Sequence, residues 1–287
     1  MSQLSHAGAG SRTPPIPEDP GPEPESAAPA QGSPPPAVRR ARAISNAGLW
    51  LAPVLIAALA GLLYLYVGSL DLDGDAPSSQ RSALSWEGKL WPQMQEHLQI
   101  AFWSTLIVIL VAIPLGILLT RPSLRRVSPY VLTVANSGQA LPAYGLLVIF
   151  LIMMGQGQIS VIWALALYAL LPVLRNTMVG LDGVDRHVIE AGRGMGMTKL
   201  GALARIEMPL AVPVIIAGVR TAMILNIGMA TLAFLIGGGG LGITINAGLK
   251  LNQDPVLIVG AWLVALVALS FDWVGAVAEK YLRPRGL

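Results

Sequence analysis

Six apolar stretches, each near the length that crosses a bilayer, follow one another along this 287-residue chain. Crossing takes about 20 apolar residues as a helix, and a backbone in hydrocarbon must satisfy its own polar groups, which helices do within a single segment. The stretches run over about 47–67 (AGLWLAPVLIAALAGLLYLYV), 98–120, 130–154, 159–174, 210–236 and 255–278, with Pro142 inside the third. Charged residues make up 12% of the chain, where soluble domains carry about a quarter. The expected fold class is therefore all-α, a polytopic membrane protein with six transmembrane helices. A soluble enzyme built around one large core is excluded.

The residues outside the stretches set further limits. There is no cysteine, which removes disulfides, thiolate chemistry and cysteine-based metal sites. His6, His97 and His187 have no ligand spacing, so no metal is expected. The formal charge of +3 and pI near 9.4 follow from lysine and arginine gathered in alternate loops, so nucleic acid is not an expected partner. Arg39, Arg40 and Arg42 precede the first stretch, Arg121, Arg125 and Arg126 follow the second, Arg175, Arg186, Arg193, Lys199 and Arg205 follow the fourth, and Lys280, Arg283 and Arg285 follow the sixth. The other loops hold only Arg81, Lys89 and Lys250. The positive-inside rule then places both termini in the cytoplasm of a multi-pass membrane protein.

Residues 1–44 are rich in Pro, Ser, Ala and Gly and show no apolar periodicity. Such a segment buries too little surface to offset its ordering entropy and is expected to be a disordered cytoplasmic tail, with the membrane domain over 45–287. It does not read as a signal peptide. Pro34-Pro35-Pro36 is a possible polyproline ligand, although a plain tail is the simpler reading.

The loop after the fourth stretch carries EAGRGMGMTKLGALARIEMP at 190–209. Asp185 is expected to cap one short helix and Thr198 a second. Gly194 and Gly196 allow a tight turn between them, and Pro209 ends the pattern. An elbow of two short helices over about 185–208 results. On physics alone it is either a docking surface for a partner protein or an amphipathic connector lying on the membrane.

The spacing Glu190-Ala191-Gly192, Gly196, Ile206, Met208-Pro209 resembles the cytoplasmic signature of ABC importer permeases: Glu-Ala-Ala, three residues, Gly, nine residues, Ile, one residue, Leu-Pro. Gly192 stands in place of the second Ala, and Met208 in place of Leu. A wider region, about 98–249 and most specifically 167–242, is similar to the glycine betaine/carnitine/choline (osmoprotectant) permease subfamily. Gln139-Ala140-Leu141-Pro142-Ala143 matches a Gln-Thr-Ile-Pro-Ser segment of that subfamily, with Ala in place of Thr and Ser.

The resemblance implies a type I importer permease in a bacterial inner membrane, paired with a second permease copy or paralogue. It implies two ABC ATPase subunits gripping the coupling helices, an extracytoplasmic solute-binding protein, surrounding lipid, and a small solute such as glycine betaine, choline or carnitine. Another small amine or amino-acid derivative, such as ergothioneine, is the alternative solute. Glu190, Ala191, Gly192, Gly196, Ile206, Met208 and Pro209 would then be the ATPase-coupling residues. The chain would be no enzyme and would need no cofactor. Consistently, it has no G-x-x-x-x-G-K-[ST] phosphate loop.

The rival classes are a secondary transporter and a membrane scaffold. Secondary carriers use intramembrane carboxylates, and the stretches offer only Asp272, near an end. A scaffold working through the tail would lose its function on deletion of residues 1–44, whereas a permease would keep transport.

Polar residues inside the stretches are costly and therefore informative. Asn136, Ser137 and Gln139 near Pro142, and Asn226 in the fifth stretch, are the candidates for lining a translocation pathway. Helix–helix hydrogen bonding is the alternative. Arg220 and Asp272 fall where snorkelling or a local salt bridge accounts for them. Tyr144, Trp163 and Tyr168 are better read as packing or interface anchors than as a cation–π site. GGGGLG at 237–242 satisfies G-x-G-x-x-G but follows a membrane stretch, so a flexible gate or a close helix approach is expected rather than a dinucleotide site. DLDGDA at 71–76 lacks the glycine and glutamate of a calcium loop.

Overall fold

The computed structural model describes residues 36–282, apart from 73 and 75, with side chains from residue 49 onward. Of the tail expected over residues 1–44, residues 1–35 lie outside the described residues, and residues 36–44 are helical. Every element among those described is helical. In chain order they are α1 (Pro36–Ser69), α2 (Ser78–Ala83), a π turn (Trp86–Leu90) leading into α3 (Trp91–Thr120), α4 (Ser128–Ala140), α5 (Ala143–Met154) and α6 (Gln158–Asp182). Then follow α7 (Arg186–Gly194), α8 (Lys199–Ala202), a second π turn (Leu203–Glu207), α9 (Met208–Met229) with a 3₁₀ extension (Ala230–Ile236), α10 (Gly242–Lys250) and α11 (Asp254–Leu282).

Five helical runs are long and apolar enough to cross a membrane: Leu49–Ser69, Trp86–Thr120, Gln158–Asp182, Lys199–Ile236 and Asp254–Leu282. The third apolar stretch is a sixth span only if α4 and α5 count together, because they meet at 100°. Pro142 has no N–H to give to the ladder and disfavours helical ψ in the residue before it. Leu141 accordingly takes ψ 138° and α4 stops there.

Several helical runs outrun their apolar stretches, the fifth starting at Lys199 and not 210. The chain is helical from Trp86, not Leu98, because the polar residues there find partners. The Ser85 hydroxyl oxygen accepts from the Gly88 N–H at 3.1 Å. The Thr244 hydroxyl donates to buried Gln93, and His97 Nε2 lies 2.9 Å from the Ile227 carbonyl. Similarly, α6 continues past Leu174 to Asp182.

Small residues let α3, α6 and α9 form the centre. A Cβ added at Gly218 of α9 would lie 3.0 Å from the Pro172 carbonyl oxygen and 2.7 Å from the Asn176 side chain of α6. At Gly180 it would lie 3.1 Å from the Ala211 carbonyl oxygen. Lipid provides little hydrophobic drive between helices, so such close backbone approach supplies the packing. By contrast α1 is peripheral. Leu63 is buried, Tyr66 stacks on Trp262 and the Trp273 indole donates to the Leu49 carbonyl, while Trp50, Val54 and Tyr64 point outward.

Arg220 of α9 donates to both oxygens of Asp272 of α11, at 2.6 and 2.8 Å, with Glu279 3.6 Å away. This is the local salt bridge expected from the sequence. Breaking one side of a buried pair costs about 3–5 kcal/mol; with about a third of each side chain exposed, solvent screening lowers that to about 1–3 kcal/mol. Asp272→Ala should therefore lower the melting temperature of the detergent-purified protein by about 2–10 °C. The double variant Arg220→Met/Asp272→Leu, which removes both charges of the pair and leaves only the partly exposed Glu279 without its cation, should recover most of it. An unchanged melting point for Asp272→Ala would show that the pair contributes nothing to the α9–α11 contact.

Candidate functional site: the elbow between α6 and α9

The loop that joins α6 to α9 is a built object, and its local chemistry explains its shape. The Asp185 carboxylate accepts from the His187 N–H at 2.9 Å, capping α7. The Thr198 hydroxyl oxygen accepts from the Gly201 N–H at 3.1 Å, capping α8. At the end of α7 the Gly196 N–H reaches the Arg193 carbonyl and the Met197 N–H reaches back to Gly192, the paired closure of a Schellman motif. That closure needs a left-handed residue, and Gly196 has φ +90°. Gly194 does not share the role: it ends α7 without positive φ.

The residues of the resemblance divide between two faces. Gly192 is buried, and a Cβ there would overlap the Ile206 δ-methyl, so Gly in place of Ala lets Ile206 seat directly against α7. Met208 is half-buried at the start of α9 beside an exposed Pro209. Glu190 and Ala191 stand exposed. So do Met195 and Leu200, each 76% exposed at the tip of the turn. Ile189, Leu203 and Ile206 turn inward. Met195 and Leu200 thus stand free of the packing on either side of the Gly196 turn.

Behind the elbow lies a cleft of about 410 Å³ between α7, α8 and the ends of α3 and α6. Arg121, Arg125, Arg186, Arg193 and Lys199 line it together with Asp182, Glu207 and the exposed Glu190. Arg121 holds Glu207 through both carboxylate oxygens, and Arg125 lies 3.6 Å from Asp182.

The pathway candidates do not meet at one place. Asn136 and Ser137 are exposed on α4 just before the bend, and the Ser137 hydroxyl donates to the Thr133 carbonyl. Gln139 is half-buried and donates to the Tyr168 carbonyl at 3.2 Å. Asn226 is wholly buried. Its amide nitrogen lies 3.1 Å from the Leu165 carbonyl, and its oxygen faces the hydroxyls of Thr105, at 2.9 Å, and Ser104, at 3.1 Å. Asn226 is thus a knot joining α3, α6 and α9 rather than a surface residue of this conformation, because its amide is satisfied from both neighbouring helices.

The glycine run is a close approach and not a free gate. Gly237, Gly239 and Gly240 all have positive φ, and the Gly240 N–H donates to the Glu96 carboxylate at 2.8 Å. A Cβ at Gly240 would press on His97 at 3.3 Å. Glu96, His97 and Gln93 were invisible as structural residues in the sequence, where they sit in what reads as a polar loop. The proline following Trp91 and the serine at 85 are the local signs of a helix start.

Comparison with known proteins places this architecture. Residues 112–285 match the family described as binding-protein-dependent transport system inner membrane component. The chain belongs to that family. It is 42% identical over 200 residues to the choline transport system permease protein OpuBB of Bacillus subtilis (strain 168), covering 70% of this chain and 91% of that one. It is 43% identical over 190 residues to the osmoprotectant import permease protein OsmY of Salmonella typhimurium, covering 66% and 80%. Among solved structures it is similar to an inward-facing form of the MetNI methionine ABC transporter, with TM-score 0.60 and 21% identity over 68% of this chain and 96% of that one. The chain is a membrane permease with several spans, a transporter subunit and not an enzyme in its own right.

Proposed function

We propose that this permease is the membrane subunit of an ATP-driven ABC importer for a small osmoprotectant such as glycine betaine, choline or carnitine. The observation that carries the reading is the elbow. Two capped helices, closed by a left-handed Gly196, hold Met195 and Leu200 out at its tip. A separate ATPase chain would grip that tip, with Glu190 and Ala191 on the docking face and Gly192, Ile206, Met208 and Pro209 fixing the elbow to α9. Movement of the gripped elbow would tilt α6 and α9 together, because both are continuous with it. A solute-binding protein would deliver from the opposite face, and a second permease copy or paralogue would complete the passage.

In this reading the chain sits in a bacterial inner membrane with both termini in the cytoplasm, as the arginine and lysine distribution supports. Asn136 and Ser137, exposed beside the 100° break, and Gln139 next to them line the passage. Broken helices free backbone groups at mid-membrane, which solutes can use. The solute class rests on the relatives named for choline and for osmoprotectant import.

The experiment is uptake of labelled glycine betaine into proteoliposomes holding this chain, its ATPase and its binding protein. Unlabelled choline, carnitine and ergothioneine serve as competitors. Accumulation that requires ATP is the expected result. Uptake by this chain alone, without ATPase or ATP, would overturn the reading in favour of a secondary carrier. ATP hydrolysis stimulated by the binding protein, with no betaine uptake and no competition, would discard the betaine class and keep the importer.

A further inference from the structure

Across the cleft behind the elbow, Arg121–Glu207 is the only ion pair among the described residues that joins the elbow to α3. Its geometry is unusually complete. Glu207 has a side chain only 9% exposed, and Arg121 one of 31%. Arg121 Nη2 donates to Glu207 Oε2 at 2.6 Å and Nη1 to Oε1 at 3.3 Å. The same guanidinium donates from Nε to the Ile117 carbonyl at 3.2 Å and from Nη2 to the Thr120 hydroxyl at 3.3 Å. It therefore caps the free carbonyl end of α3, where a cation is favoured, while gripping the carboxylate.

Glu207 occupies the junction. It ends the π turn that opens directly into α9, and the residue before it, Ile206, is seated on Gly192 of α7. A displacement of α7 reaches Ile206 by contact and Glu207 through the backbone. From there it passes into a guanidinium locked on the last turn of α3. Burying a carboxylate is costly, and a buried pair does not in general stabilise a fold more than apolar residues would. The bidentate fork does give a fixed direction of force, which apolar contact alone does not.

We propose that Arg121 and Glu207 form a positioning tie that makes the end of α3 move with the elbow, so that elbow movement drives three helices instead of the two it is chained to. The proposal rests on the reading of the elbow as the ATPase-docking element. With the tie cut, ATP would still move the elbow, but α3 would lag and less solute would cross per ATP.

The test uses the full transporter in proteoliposomes, measuring solute moved per ATP hydrolysed. Glu207→Gln, which keeps the shape and removes the charge, should lower that ratio by about fivefold or more. Arg121→Lys keeps the charge but cannot hold both carboxylate oxygens and the Ile117 carbonyl at once, and should give an intermediate ratio. The absence of native cysteine permits a second readout, with spin labels on Leu124→Cys beyond the end of α3 and on Val188→Cys at an exposed position of α7. Their separation should stay constant between nucleotide-free and ATP-trapped states, and should change with nucleotide once Glu207→Gln is added. If Glu207→Gln does not fold, Arg121→Lys carries both measurements. An unchanged ratio together with a constant label separation in these variants overturns the tie. If Gly196→Val also transports normally, the elbow reading itself has failed; if only the tie variants are silent, the tie alone is wrong.

Discussion

Gly196→Val should cut ATP-dependent transport by about tenfold or more while leaving the amount of protein in the membrane unchanged. Gly196 holds φ +90°, a conformation that a β-branched residue adopts only as an outlier. Forcing it costs about 1–3 kcal/mol of local strain, which the elbow relieves by opening the Schellman closure on Arg193 and Gly192. That change should swing α8 relative to α7 and displace Met195 and Leu200, so the docking tip is lost while the α6–α9 packing at Gly180 and Gly218 is kept. Gly194→Ala is the matched control. It lies at the end of α7 with open space where a Cβ would go, and should transport as the parent does. Uptake and ATP hydrolysis in the same vesicles decide the matter. Normal uptake by Gly196→Val would remove the coupling role assigned to this elbow.

Gly218→Leu should strongly destabilise the permease. The position faces α6 at the crossing where a Cβ would already lie 3.0 Å from the Pro172 carbonyl oxygen. A flexible side chain can yield, but this neighbour is backbone. The strain cannot be absorbed by rotamer changes, and the two helices must separate. Overpacking of this kind costs about 3 kcal/mol or more, a fall of about 6–12 °C in melting temperature for a domain of this size. Separation also pulls Asn226 away from the Leu165 carbonyl, leaving a buried amide unpaired. Fluorescence-detected size exclusion and thermal melting in detergent measure the outcome. A monodisperse Gly218→Leu protein melting with the parent would show that α6 and α9 do not meet this closely.

The elbow was legible in the chain because its determinants are local. An Asp before one helix, a Thr before the next and a Gly between them act on residues two to five positions away, and the structure has both caps and the turn. Residues Gly194 and Gly196 looked equivalent in the sequence. Only the closure of α7 separates them, since it fixes which one must be left-handed.

The membrane class, the approximate number of spans and the family were likewise fixed by the chain alone, because they depend on run length, charge distribution and short-range spacing. What the tertiary structure decided is where polar residues go. Asn226, a pathway candidate by sequence, is buried in this conformation, and its amide is met by Thr105 and Ser104, more than a hundred positions earlier, and by Leu165 of α6. The segment from Trp86 to His97 looked like loop and is helix, since Gln93 and His97 are satisfied by Thr244 and Ile227. The third stretch reads as one span with Pro142 inside it, and the angle of 100° emerges only in three dimensions. Hydrogen-bond partners far apart in the chain leave no periodicity and no local signal, so a polar side chain in an apolar stretch announces its cost but not its partner.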